Sequence, residues 1–132
     1  MDRIKFITDS ACDIPLQVAQ GFDVDVAPLT VTVDGVTYRE AYDLSPQEFY
    51  ALCGTCKELP MSAGVNSAEY ASRFLSAYQA GYDQVCVVCI NSGGSMSYAS
   101  ACRARDDFYD DHPEARPRMR IENVDSRTYS IA

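Results

Sequence analysis

Short apolar runs alternate along this chain with longer stretches of helical spacing, and turn-forming residues separate the two. Ile4 to Thr8 reads as a first strand. Asp13-Ile14-Pro15 then opens a short helix, with Asp13 as its cap and Gly21 as its stop. Val24 to Ala27 is a second strand. Leu29 to Val33 and Val36 to Arg39 flank Asp34-Gly35, a dipeptide that favours a two-residue hairpin turn. Ser45-Pro46-Gln47-Glu48 forms a capping box with proline at the first helical position, so a helix runs from Pro46 to Cys53.

Glu58 to Val65, with Pro60, Ser62 and Gly64, reads as a loop. Asn66-Ser67-Ala68-Glu69 starts the next helix, where Ala71, Phe74, Leu75 and Tyr78 keep one face apolar until Gly81. Gln84 to Ile90 is a near-continuous apolar run, the pattern of a central strand covered on both faces. Ser95 to Asp110 is helical and ends at Asp110-Asp111-His112-Pro113. Met119 to Val124 is the last strand. Strands alternating with helices predict an α/β domain with a mainly parallel sheet, helices on both faces and one β-hairpin insertion.

Three strand ends share a chemistry. Thr8-Asp9-Ser10, Asn91-Ser92-Gly93-Gly94-Ser95 and Asp125-Ser126 each close an apolar run with small hydroxyl or acidic residues. If the runs are neighbouring parallel strands, all three junctions lie on the edge where open α/β sheets bind ligands.

The 132 residues suffice for one domain with a core, and 47% hydrophobic with 23% charged residues is ordinary for a globular chain. A net charge of -8 argues against nucleic acid and anionic membranes, since Arg116, Arg118 and Arg120 form the one basic cluster beside Asp110 and Asp111. No apolar stretch is long enough to span a membrane and no signal peptide is visible, so a cytoplasmic location is expected. Arg127 to Ala132 reads as the start of a further element, which suggests a fragment of a longer protein.

Six cysteines include two C-x-x-C spacings, Cys53–Cys56 and Cys86–Cys89. The second lies in a strand, where residues three apart face opposite ways. The first follows a helix, whose C-terminal end disfavours a thiolate. Free, mostly buried thiols are expected.

Ser92-Gly93-Gly94-Ser95 offers hydroxyls, flexible backbone and a following helix N-terminus, which suits one anionic group. A plain turn with Ser95 as helix cap fits equally well. The loop holds no lysine or arginine and no G-x-G-x-x-G, so a carboxylate suits it better than a polyphosphate. Asp9 and Asp125 offer an alternative, a metal-dependent phosphoryl-transfer or hydrolase site, although each aspartate also suits the organisation of its own loop. Serine nucleophile chemistry lacks a base, because His112 is the one histidine and lies in an acidic loop.

Ile7-Thr8-Asp9-Ser10 with Asp13-Ile14-Pro15, Ala27 to Val31, Ser45 to Tyr50, Ser92-Gly93 with Ser95, Tyr98, Ser100 and Ala101, and Val124-Asp125-Ser126-Arg127 resemble the N-terminal domain of the DegV family in order and spacing. The resemblance implies a non-catalytic fatty-acid-binding protein without a cofactor. Its ligand carboxylate sits between two domains, and its acyl group is presented to a fatty acid kinase partner. Residues 1–132 would then be one α/β domain that lacks the second lipid-binding domain. Carried over by position, Ser62 falls where the family has a threonine near the carboxylate, and Ser92 and Gly93 fall in the loop that supplies a hydroxyl and an N–H. Thr8, Ser10, Ser95, Asp125 and Ser126 complete the expected head-group edge. Gly94 stands where the family has leucine, and Met96 where it has glycine.

Overall fold

The computed structural model describes residues 3–129. Four parallel strands form its main sheet: β1 (Ile4–Asp9), β2 (Val24–Ala27), and two that follow later in the chain. Before those come β3 (Thr30–Val33) and β4 (Val36–Arg39), the expected hairpin. Its turn residues Asp34 and Gly35 both have positive φ, 48° and 82°, the conformation that matches the twist of the flanking strands. A third short strand, β5 (Met61–Ala63), pairs antiparallel with β3. From the sequence this segment reads as a loop. All three of its residues are exposed, so no apolar alternation marked them.

Helices α1 (Leu16–Gly21), α2 (Pro46–Cys53), α3 (Ser67–Gln79) and α4 (Ser97–Asp111) connect the strands. The capping box of α2 is complete: Ser45 Oγ accepts from Glu48 N, and Glu48 reaches back to Ser45 N. Asn66 caps α3. Asp13 does not cap α1. It sits in the left-handed region at φ 58°, closing a 3-10 turn over Ser10–Cys12, and the helix starts after Pro15. The element expected from Arg127 onward runs into residues 130–132, which lie outside the described residues.

With β6 (Gln84–Cys89) and β7 (Arg120–Asp125), the main sheet has the order β2-β1-β6-β7. Strand alternation sends Ile7, Val85, Val87, Cys89 and Ile121 to one face, where Tyr70, Phe74 and Ala77 of α3 and Ala101, Ala104 and Phe108 of α4 bury them. On the opposite face α1 covers Val24 and Val26. Helices therefore lie on both faces, as expected. The α1 side is incompletely covered, and Phe6, Ile4 and Val124 remain 49%, 43% and 42% exposed. Cys86 aligns with Phe6 on this side, while Cys89 is buried on the other, so that pair of sulfurs diverges. All six cysteines are free thiols. Cys12 and Cys89 are buried and the other four are half-buried, fewer buried than expected.

The hairpin insertion has its own small core of Val31, Val33 and Leu44, packed by Tyr38, Phe49 and Leu52. An ionic ladder ties it to the main body. Arg39 on β4 pairs with Glu69 of α3 at 3.3 Å, Glu69 pairs with Arg73 at 2.6 Å, and Arg73 pairs with Asp25 of β2 at 3.2 Å. Arg73 also donates to the Val26 carbonyl at 3.1 Å, and its side chain is only 13% exposed. Charged hydrogen bonds in such partial shelter contribute about 1.5–3 kcal/mol in favourable cases. Arg73→Ala is expected to cost about 1.5–3 kcal/mol by urea unfolding, and Arg73→Lys to recover less than half, since one ammonium cannot serve three acceptors in a planar fork.

Candidate functional site

The chain leaves β1 towards β2 but leaves β6 towards β7, so the winding reverses between β1 and β6. Such a reversal opens a crevice at the carboxyl ends of the two strands. The three junctions expected from sequence do fall on this edge, at the ends of β1, β6 and β7.

Asp9 stands in the crevice, fully buried. Its Oδ1 accepts from Ala11 N at 3.0 Å and its Oδ2 from Ile90 N at 2.7 Å. One carboxylate thus joins the loop after β1 to the loop after β6. Burial raises its pKa. The two backbone N–H bonds oppose that rise, and the nearby Glu40 charge adds to it. Beside it, buried Tyr70 meets Cys89 Sγ at 3.6 Å, and burial pushes the Cys89 thiol up to about 12, so this sulfur is no nucleophile at neutral pH.

The predicted residues divide into groups along the edge. Ser92 donates its hydroxyl to Asp125 and its backbone N–H to Asp125 Oδ1 at 3.2 Å. Gly93 N donates to Asn91 Oδ1 at 3.0 Å, and Arg127 N to Asp125 Oδ1 at 3.0 Å. Ser126 N donates to the Cys89 carbonyl at 3.0 Å, which locks the β7 end beside the β6 end. The Ser92 hydroxyl is the leading influence that holds the Asp125 carboxyl below the usual range.

Ser95 belongs to a second group. Its Oγ accepts from Ser97 N and lies 3.2 Å from Ser97 Oγ, which in turn accepts from Val65 N at 3.0 Å. A methyl group on Gly64 would lie 2.9 Å from both Ser95 Oγ and Ser97 N, so glycine is what lets the β5 end touch the α4 start. Exposed Ser62 stands two residues before this contact, opposite Val31. Ser10 belongs to a third group: its Oγ donates to Glu40 at 2.6 Å and accepts from Leu29 N at 2.9 Å. Ser10 and Glu40 also line a groove of about 880 Å³ whose apolar wall includes Ile14, Leu16, Val31, Leu44 and Phe49. Thr8 differs from the rest. Strand alternation turns it to the face opposite Asp9, and its Oγ1 reaches only the Asp9 carbonyl at 3.5 Å.

Glu40, Asn91, Ser97 and the cross-strand role of Asp9 escaped the sequence reading. Asn91 carried a usable signal, since an Asn two residues before a Gly favours a side-chain-to-backbone turn. Glu40 carried none, and the link from Ser97 to Val65 carried none, because Ser10 and Val65 lie 30 and 32 residues from them. Met96 stays exposed, and the Tyr129 ring lies against Gly94, where a methyl group would meet it at 2.5 Å. The ring fills the place that a larger residue at position 94 would take.

Asp9 and Asp125 each organise their own loop. Each is engaged by backbone N–H groups, and among the described residues no group of three or more His, Cys, Asp or Glu is placed to hold a metal ion. His112 follows the last residue of α4 and packs on Phe108, about 20 Å along the helix from Ser97.

Asp9 also sets a pH signature. A carboxyl whose pKa is raised by folding contributes stability that is fully present below its unfolded value near about 3.9 and is lost as pH rises through the folded value. Asp9→Asn removes that loss. Its destabilisation relative to the unmodified protein is expected to be larger at pH 3 than at pH 7 in paired urea titrations, and a flat difference would contradict the assignment.

A family model described as "Uncharacterised protein, DegV family" matches residues 3–132. A DegV domain-containing protein of Caldanaerobacter subterraneus is 30% identical over 131 residues, covering 99% of this chain and 43% of that protein. Among solved structures, a stearic acid-binding protein from Eubacterium ventriosum is similar at 30% identity and a TM-score of 0.83, over 98% of this chain and 43% of that one. A fatty-acid-binding DegV protein from Thermus thermophilus is similar at 25% identity and 0.79, over 98% and 42%. The fatty-acid-binding DegV of Bacillus subtilis shares the fold at 24% identity and 0.86, over 99% and 43%. The chain spans about two fifths of the length of the relatives it matches. On the strength of the matched sequence and the shared fold, the chain belongs to the DegV family.

Proposed function

We propose that this chain supplies one wall of a fatty-acid site, in which Ser92, Gly93 and Ser62 address the ligand carboxylate and the apolar groove beside Ser10 takes part of the acyl tail. One observation carries the reading. The Ser92 loop already grips a carboxylate, that of Asp125, through a hydroxyl and a backbone N–H. Those donors suit a fatty-acid head group in a loop that itself carries no lysine or arginine. Among the described residues the exposed Ser62 hydroxyl has no hydrogen-bond partner, and it stands two residues from the Gly64 contact with α4, free to serve a ligand.

Magnitudes divide the labour. Each buried methylene is worth about 0.8 kcal/mol, so a long tail supplies most of the affinity and the hydroxyls fix its orientation. The groove volume of about 880 Å³ lies within the usual range for small-molecule sites, but it is open, so the tail needs a second wall from outside these residues. The fatty-acid-binding relatives are more than twice as long and support this reading. The chain itself performs no catalysis in this view. Presentation of the acyl group to the catalytic subunit of a fatty acid kinase rests on the family resemblance, as does the absence of a cofactor.

The test is native mass spectrometry and affinity measurement on the complete gene product. A co-purified fatty acid is expected. Ser92→Ala should weaken its retention roughly 10- to 100-fold, the equivalent of one charge-assisted hydrogen bond, with a smaller loss for Ser62→Ala. Residues 1–132 alone should retain fatty acid poorly. Unchanged loading in both serine variants would remove the head-group assignment, and tight stoichiometric loading of the short chain would remove the need for a second wall.

A further inference from the structure

Every donor that the fatty-acid reading assigns to the Ser92-Gly93 loop is already in use. The Ser92 hydroxyl and N–H both serve Asp125, and the Gly93 N–H serves Asn91. Asp125 therefore sits where an incoming carboxylate would have to sit. Two carboxylates cannot share that hydroxyl and amide, because they repel each other and compete for the same hydrogens. Ser92 cannot release both of its donors while Asp125 keeps its place.

We propose that Asp125 is a specificity-determining residue that occupies the Ser92 grip in the ligand-free protein, so that a fatty-acid carboxylate binds only by displacing it. This rests on the reading of Ser92 as the head-group residue. The comparison with Asp9 shows why Asp125 is the movable partner. Asp9 is fully buried and pinned by N–H groups from the loops after two adjacent central strands, so it cannot leave without opening the sheet edge. Among the described residues Asp125 ends the edge strand β7, whose strand neighbour is β6, and it is only half-buried. Rotation of its side chain frees Ser92 and also gives up the bond from Arg127 N, a group exposed enough to turn to water, while the backbone bond from Ser126 N to the Cys89 carbonyl keeps the strand end in place.

Displacement favours ligands that carry a charge able to replace Asp125. A long-chain alcohol has none, and it can instead donate its hydroxyl to Asp125 without evicting it. The two head groups should therefore respond differently to loss of the Asp125 charge. Asp125→Asn retains one acceptor oxygen for the loop and removes the competing charge.

The experiment measures binding of palmitate and 1-hexadecanol by the complete gene product at pH 8. Asp125→Asn is expected to tighten palmitate about ten-fold, equivalent to about 1.4 kcal/mol, and to leave 1-hexadecanol unchanged or weaker, since the charged acceptor of its hydroxyl is lost. Weaker palmitate binding, or equal changes for both probes, would overturn the proposal and make Asp125 a builder of the loop. An unmodified protein that binds 1-hexadecanol but not palmitate would overturn it together with the head-group reading. A second measurement needs no variant. On saturation of the unmodified protein with palmitate, the Ser92 amide and the Asp125 carboxyl carbon should shift together by NMR, and a stationary Asp125 signal with palmitate bound would overturn the displacement while leaving the fatty-acid reading intact.

Discussion

A buried carboxylate held by two backbone N–H groups is the constraint on which the site is built. Asp9 has no exposed surface and, among the described residues, no basic partner. Two backbone N–H groups, one from each side of the winding reversal, receive its charge. Leaving such a group without those bonds would cost several kcal/mol, so the positions of Ala11 and Ile90 are set by the need to satisfy it. Fixing Ile90 fixes the start of the Asn91–Ser95 loop, and that loop leads into α4. The loops that border the central crevice are thus joined through hydrogen bonds to one side chain.

Around that point the site is assembled from segments that fold on different cores. The main core lies under α3 and α4, and a smaller one lies inside the hairpin insertion. The Arg39-Glu69-Arg73-Asp25 ladder joins the insertion to the body on one side, and the Gly64–Ser97 approach joins it on the other. Ser62 depends on both, because β5 is three residues long and pairs only with β3. Its placement near the Ser95 end of the loop therefore follows from tertiary packing and not from local preference.

That dependence explains what was legible in the sequence. The parallel strands, the hairpin and the capped helices were readable because each carries a local pattern: a continuous apolar run in β6, Asp34-Gly35 at the turn, and Ser45 to Glu48 at the α2 start. The common edge of the three junctions was readable too, since it follows from strand direction. Short strand β5 was not, because three exposed residues have no period. Asp13 misled because an aspartate before Pro15 looks like a helix cap, whereas the chain needed a left-handed residue to leave the 3-10 turn. The cluster of eight site residues was read as one pocket, yet alternation turned Thr8 away and long-range partners divided Ser10 from Ser92. Such partners, Glu40 for Ser10 and Asp125 for Ser92, lie 30 and 33 residues off and leave no local trace.

An edge lined by Asp9, Glu40 and Asp125 is an unpromising place for an anion if net charge alone decides. Proximity and orientation decide instead. A hydroxyl and an amide aimed at one oxygen pair act within 3.2 Å, and the Asp125 carboxylate is held there despite the other acids nearby. The same geometry that tolerates an internal carboxylate tolerates an external one of equal charge, provided the internal one moves aside. In such an exchange the bonds broken to Asp125 offset part of the bonds made to the ligand, because the released Asp125 carboxylate regains hydration. The tail must then drive binding, at about 0.8 kcal/mol for each methylene it buries, while the exchange selects which head group is admitted.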